Sequence, residues 1–222
     1  MNNLTTDDVC RLAPVIPVLI VEELEHAAPL AMALVAGGLK ALEVTLRTPV
    51  ALDAIRAMSD AAPDAVVGVG TLRSAQDVRD AVAAGARFGV SPGLSATVMD
   101  AAEDAGLPML PGVATPSEAM AAAERGLDIL KFFPAEANGG IPVLKAWASP
   151  LAGLTFCPTG GVGPGNAADY LVKAVVPDME YYERFLLGKL TRIEGVTGVQ
   201  SSFVLRPVVR KTELPLDHID QN

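Results

Sequence analysis

Lys131 carries the most chemical potential in this sequence. It stands in Asp128-Ile129-Leu130-Lys131-Phe132-Phe133-Pro134, with apolar side chains on both sides. Burying an unpaired ammonium is expensive. Desolvation lowers a lysine's pKa, and the neutral amine can then attack a carbonyl. Glu43, in Leu42-Glu43-Val44-Thr45-Leu46-Arg47, is a carboxylate in an equally apolar run. In one pocket with Lys131 it would shuttle protons during imine formation and at the carbon next to the imine. Arg47 and Thr71 offer an N–H fork and a hydroxyl, which suit the carboxylate of a 2-oxo acid. Thr159-Gly160-Gly161-Val162-Gly163 precedes a helical pattern, where backbone N–H groups and the helix dipole favour an anion.

Each of these residues also has a plainer reading. Lys131 can be a snorkelling or ion-paired lysine, and Glu43 half of a buried Glu–Arg or Glu–Lys pair. Arg47 can be a surface arginine, Thr71 a helix cap, and the glycine-rich stretch a simple turn. His26 and His218 lie far from this set, and no His/Asp/Glu cluster has metal-ligand spacing, so neither a metal nor a cofactor is expected. Cys10 and Cys157 show no paired spacing, which argues against a disulfide framework or a zinc site. Cys157 and Trp147 read as core residues.

These residues need elements to hold them. Short apolar runs at 15–20, 41–46, 65–70, 87–92, 108–113, 127–133 and 154–160 read as buried strands. Between them, 22–36, 50–61, 75–84, 96–105, 116–125, 143–148 and 166–171 read as helices. The spacing is about 20 residues, the length of one βα unit. Ser74, Ser95 and Thr115 are N-cap candidates, and Gly106 and Gly126 C-cap candidates. Seven βα units in order predict an α/β fold of the (β/α)₈ (TIM) barrel type. An open doubly wound sheet is the alternative, weakened by the lack of GxGxxG after the first strand. Glu43, Arg47, Thr71, Ser91, Lys131 and Thr159 all fall at C-terminal strand ends, the active-site face of a barrel.

The bulk numbers agree. The chain has 222 residues, is 50% hydrophobic and only 5% aromatic, and carries a net charge of −9. An acidic balance argues against a nucleic-acid partner. There is no signal-type h-region and no apolar run of membrane-spanning length, so a soluble cytoplasmic protein is expected.

The pattern changes near residue 170. Residues 172–176 form an apolar run, 178–193 a more aromatic and charged helix, and 195–214 an extended segment. The expected division is a barrel over 1–170 and a β-α-β tail over 171–222.

Taken in order, several motifs resemble a known family. They are Pro14-Val15-Ile16-Pro17-Val18, Leu42-Glu43-Val44-Thr45-Leu46-Arg47-Thr48-Pro49, Gly68-Val69-Gly70-Thr71 and Phe88-Gly89-Val90-Ser91-Pro92-Gly93. Leu110-Pro111-Gly112-Val113-Ala114-Thr115-Pro116, Lys131-Phe132-Phe133-Pro134-Ala135-Glu136 and Pro158-Thr159-Gly160-Gly161-Val162 follow. About residues 10 to 170 resemble the 2-keto-3-deoxy-6-phosphogluconate/4-hydroxy-2-oxoglutarate aldolases. The resemblance implies a class I aldolase that releases pyruvate and an aldehyde, with Lys131 as the Schiff-base lysine and Glu43 as general acid/base. Arg47, Thr71, Pro92 and Phe133 join Lys131 in binding substrate, and Thr159, Gly160 and Gly161 hold the phosphate. The family implies a homotrimeric barrel that needs no metal, with a small 2-oxo acid such as pyruvate as its partner. Its eighth strand carries a Gly-Gly-Ser-Trp-type motif, which this sequence lacks.

Residues from about 168 to 216 instead resemble part of the effector-binding domain of the leucine-responsive regulators. The stretches are Asp169-Tyr170-Leu171-Val172-Lys173, Pro177-Asp178-Met179-Glu180-Tyr181-Tyr182-Glu183 and Ser201-Ser202-Phe203-Val204-Leu205. No helix-turn-helix pattern accompanies them. Two functions follow: an aldolase, or a catalytically impaired fusion that binds and oligomerises. For the tail, the alternation over 198–205 favours a separate lobe over a strand filling the eighth position.

Overall fold

The computed structural model describes residues 4–13, 15–163, 165, 166, 170 and 199–203. Seven parallel strands appear in sequence order: β1 Val15–Leu19, β2 Ala41–Thr45, β3 Val66–Gly70, β4 Gly89–Ser91, β5 Met109–Val113, β6 Ile129–Phe132 and β7 Thr155–Pro158. Every described residue of β1 to β6 is buried, which explains why these strands read as continuous apolar runs. Six helices connect or follow them: α2 Ala27–Ala36, α3 Ala51–Ala61, α4 Ala75–Ala83, α5 Ala96–Asp104, α6 Pro116–Glu124 and α7 Gly140–Trp147. All seven strands and these six helices fall within the segments expected from the sequence, give or take a few residues.

Two side-chain layers define the curvature. Alternate residues of the strands face the helices: Leu42, Val44, Val67 and Val69 pack with Leu34, Ile55, Met58 and Val78. The intervening residues Ile16, Ala41, Val66, Val90, Leu110, Ile129 and Cys157 come from all seven parallel strands, yet they meet in one cluster. A flat sheet would leave its first and seventh strands far apart, so the sheet must curl toward a barrel with this cluster inside. Glu43 and Lys131 are two residues on from Ala41 and Ile129. The period of two therefore puts both on the inner face.

The sequence reading missed α1, Thr6–Arg11. Thr5 caps it through a reciprocal capping box with Asp8, and Val9 and Cys10 join the inner cluster, so α1 plugs the end of the barrel opposite the strand C-termini. Ser74 and Thr115 form the same box with Asp77 and Glu118, whereas Ser95 makes no side-chain cap. Gly106 and Gly126 follow their helices at φ 63° and φ 81°, the left-handed conformation that ends a helix and that glycine adopts without strain. The stretch 22–36 divides into a short 3₁₀ turn, Leu24–His26, and α2.

The tail departs from expectation. Residues Val199–Phe203 form β8, which pairs antiparallel with all of β1, from Val15↔Phe203 to Leu19↔Val199. It also comes within 8 Å, Cα to Cα, of β7. The separate-lobe preference therefore fails for these five residues. The physical reason is the edge that β1 would otherwise leave unpaired beside β7. An antiparallel partner reaches that edge without the crossover a parallel eighth strand needs. The expected strand at 172–176 and helix at 178–193 lie outside the described residues, as does most of the helix expected at 166–171.

Candidate active site

Glu43 and Lys131 sit on β2 and β6, four strands apart in the sheet order. Curling brings Glu43 Oε1 to 3.6 Å from Lys131 Nζ across the interior, with side-chain exposures of 1% and 7%. That distance is an ion pair but too long for a good hydrogen bond. Glu43 Oε2 is buried and has no hydrogen-bond partner among the described residues. A pair kept only for structure would be expected to satisfy its remaining lone pairs, because an unsatisfied buried carboxylate oxygen is costly. A carboxylate paired with an amine through one oxygen can exchange a proton with it and pass that proton on. Glycine at position 70 makes room for it: a Cβ there would lie 2.2 Å from Glu43 Oε1.

The other expected residues stand at the same end of the sheet. Arg47, exposed, lies just beyond β2, and its Nε donates to Thr71 Oγ1 at 3.3 Å. Thr71 follows β3 directly with φ 66°, a left-handed backbone uncommon outside glycine. It caps no helix; Ser74 does. Pro92 follows β4 and is exposed, and its carbonyl oxygen presses on Gly112 of β5, where a Cβ would come within 2.3 Å. Phe133 follows β6, and its ring centroid is 5.2 Å from Lys131 Nζ. Cys157 is the register neighbour of Lys131 on β7, and burial raises its thiol well above the ordinary value, so it stays protonated.

The glycine-rich turn is built against the loop that follows Lys131. Ala135 N–H donates to Thr159 O at 2.8 Å and Glu136 N–H to Gly160 O at 3.1 Å. Gly160 and Gly161 have φ 96° and 79°, and a Cβ on Gly161 would lie 2.7 Å from the Glu136 side chain. Asn166 closes the other side: its Oδ1 accepts from Gly163 N–H at 2.8 Å, and its Nδ2 donates to Gly161 O at 3.1 Å.

The sequence and the fold have close counterparts. The KDPG and KHG aldolase family matches residues 6–177 of the 222. The chain belongs to that family. The KHG/KDPG aldolase of Escherichia coli K12 is 48% identical over 167 residues, which cover 75% of this chain and 78% of that protein. Two crystal structures superpose closely. One is the 2-keto-3-deoxy-6-phosphogluconate aldolase of Zymomonas mobilis ZM4 with 3-phosphoglycerate (46% identity, TM-score 0.73, covering 82% of this chain and 91% of that one). The other is the KDPG aldolase of Legionella pneumophila, with pyruvate captured as a covalent carbinolamine intermediate (47% identity, TM-score 0.72, covering 74% and 80%). The family to which the chain belongs is one of aldolases, and the fold is theirs.

The tail has its own match: the Lrp/AsnC ligand binding domain, over residues 165–214. The two matches overlap at 165–177. Within the aldolase part, the sequence reading did not single out Gly70, Glu136, Asn166 or Tyr170. Gly70 was visible only as part of the Gly-Val-Gly-Thr motif, since the clash it avoids involves a side chain 27 residues earlier. Among the described residues, no group of three or more His, Cys, Asp or Glu could hold a metal ion, and no helix is long and apolar enough to cross a membrane.

Proposed function

We propose that this protein is a class I aldolase that cleaves a 4-hydroxy-2-oxo acid, of the 2-keto-3-deoxy-6-phosphogluconate or 4-hydroxy-2-oxoglutarate type, to pyruvate and an aldehyde. The observation that carries the reading is the buried Lys131–Glu43 pair. Lys131 passes a proton to Glu43, and its neutral amine adds to the C2 carbonyl. Glu43 hands that proton to the carbinolamine hydroxyl, which leaves as water and gives a protonated imine. That imine draws in the electron pair of the C3–C4 bond as it breaks, while Glu43 takes the proton of the C4 hydroxyl, whose carbon becomes the aldehyde. Glu43 then returns a proton to C3 of the enamine, and water releases pyruvate and regenerates the amine. The covalent carbinolamine of pyruvate in the Legionella relative is the intermediate this route passes through.

Arg47 and Thr71 would hold the substrate carboxylate, Phe133 and Pro92 would flank the pyruvyl carbons, and Thr159, Gly160 and Gly161 would receive the distal phosphate. The Zymomonas relative was crystallised with a phosphorylated three-carbon acid, which suits a distal anion site in this fold. The residues supply the acid, the base and the electron sink themselves, so the reading calls for no metal or organic cofactor. A cytoplasmic homotrimer completes the proposal, on the family resemblance. Pyruvate release from each substrate, followed by lactate dehydrogenase coupling, tests it. Turnover of at least one is expected; release no faster than in a protein-free control would overturn it.

A further inference from the structure

The glycine-rich turn is supported by two side chains, the last of the 131–136 motif and the second of the 169–173 stretch, to which neither the resemblances nor the proposed chemistry gives a role. Tyr170 is 1% exposed, and its hydroxyl donates to Glu136 Oε1. Glu136 is already stitched to the turn, through its N–H to Gly160 O at 3.1 Å and through side-chain packing on Gly161. Its carboxylate oxygen and the Tyr170 hydroxyl both crowd Gly140, the first residue of α7: a Cβ there would lie 3.0 Å from Glu136 Oε1 and 2.9 Å from Tyr170 Oη. Gly140 in turn donates its N–H to Ala135 O at 2.9 Å. The turn, the loop after Lys131 and the start of α7 thus share one junction. Tyr170 falls in the segment that both family matches cover.

We propose that Tyr170 and Glu136 are a positioning pair for the distal anion site, and that they act on the phosphate end of the substrate rather than on the reacting carbons. A carboxylate next to an anion-accepting turn is a repulsive neighbour unless its direction is fixed. The Tyr170 hydroxyl fixes it, and burial together with Glu136 raises the phenol well above its ordinary value, so it remains a donor at all working pH. Removing the donor frees Glu136 to swing toward the turn, where its charge opposes a phosphate and its packing on Gly161 loosens.

This inference rests on the aldolase reading, and kinetics on the full chain separate the two. For Tyr170→Phe, KM for 2-keto-3-deoxy-6-phosphogluconate should rise by about three- to tenfold, the range expected for one lost hydrogen bond. Its kcat should hold, and both constants for 4-hydroxy-2-oxoglutarate should change less than twofold. Glu136→Gln, which keeps an acceptor for the phenol and removes the charge, should retain the wild-type KM or lower it. Glu136→Asp, which keeps the charge but withdraws it from the phenol, provides a second route to the same break should Tyr170→Phe not fold. Combined with Tyr170→Phe, it should add less than the sum of the two single effects, as expected for partners in one contact. A Tyr170→Phe enzyme unchanged on the phosphorylated substrate, or equally impaired on both, would overturn the pairing while leaving the aldolase reading intact. A wild-type protein that cleaves neither substrate overturns both.

Discussion

At the residue scale, the chemistry turns on two side chains that a folded protein rarely buries together. Lys131 and Glu43 lie 3.6 Å apart in a largely apolar interior. Glu43→Gln keeps the size and polarity of the side chain but removes its proton transfer, so turnover should fall by about 10²–10⁴-fold, the usual worth of a placed acid/base group. Exchange of the pyruvate methyl protons, read by NMR, should fall with it; exchange at the wild-type rate would remove Glu43 from the role of base. The neighbouring Cys157 makes a contrasting prediction. Burial holds its thiol above 9.0, its ordinary value, so the folded protein favours the protonated form. Native alkylation at pH 8 should leave the Cys157 peptide unmodified, and modification should appear only after denaturation. By linkage, the thiol adds stability below about pH 9, and that contribution is lost as pH rises from 9 through the raised folded value, where the unfolded chain ionises and the folded one does not.

At the element scale, the local rules were legible and the crowding was not. Period and capping placed β1 to β7 and the caps at Ser74 and Thr115, because fully buried strands and Ser/Thr-x-x-Asp/Glu boxes follow from a few adjacent residues. Ser95 shows the limit: it has the right residue type for a cap but no acidic partner at N3, and it makes no capping hydrogen bond. α1 was missed because its six residues are mainly polar, although Thr5 and Asp8 spell the same box as Ser74 and Asp77. Thr115→Ala should lower stability by about 1 kcal/mol, measured by chemical denaturation, with little effect on turnover. Gly70 behaves differently. Any Cβ at this position meets Glu43 Oε1 at 2.2 Å, which only a displaced carboxylate or a shifted strand can relieve. Gly70→Ala should therefore cut activity at least tenfold through Glu43, whatever its cost in stability. An active Gly70→Ala enzyme with an unchanged pH profile would show that Glu43 needs no fixed position.

At the scale of the whole molecule, the candidate site was legible as a set of strand ends before any contact was known. Arg47, Thr71, Pro92, Lys131, Phe133 and Thr159 each follow or end a strand, and parallel strands in sequence order bring such ends to one face. The sequence could not reveal that β2 and β6 meet across the interior, since that depends on closure of the sheet. Alternation over 198–205 favoured a separate lobe because it reads as a half-buried antiparallel strand, and β8, antiparallel along the β1 edge, has that same pattern. The tail strand pairs with β1 over five residues, so a chain ending at Leu171 exposes that edge. Such a truncation should lower the thermal midpoint and raise the aggregation rate, both readable by scanning fluorimetry and light scattering. Unchanged stability would mean that β8 is dispensable to the barrel. The sequence has no Gly-Gly-Ser-Trp-type motif, so the proposed distal anion site would have one lip, Thr159 to Gly161. Discrimination for the phosphorylated substrate in kcat/KM should then stay below about a hundredfold, or ~2.7 kcal/mol.

The central claim is that Lys131 forms a covalent imine with pyruvate. It is tested most directly by adding pyruvate and borohydride to the full-length protein and reading the intact mass and the modified peptide. The account predicts one reduced pyruvyl adduct per chain, mapped to Lys131, and none on Lys131→Ala protein that circular dichroism shows to be folded. An adduct that survives in Lys131→Ala, or no adduct on the wild-type chain, would contradict it.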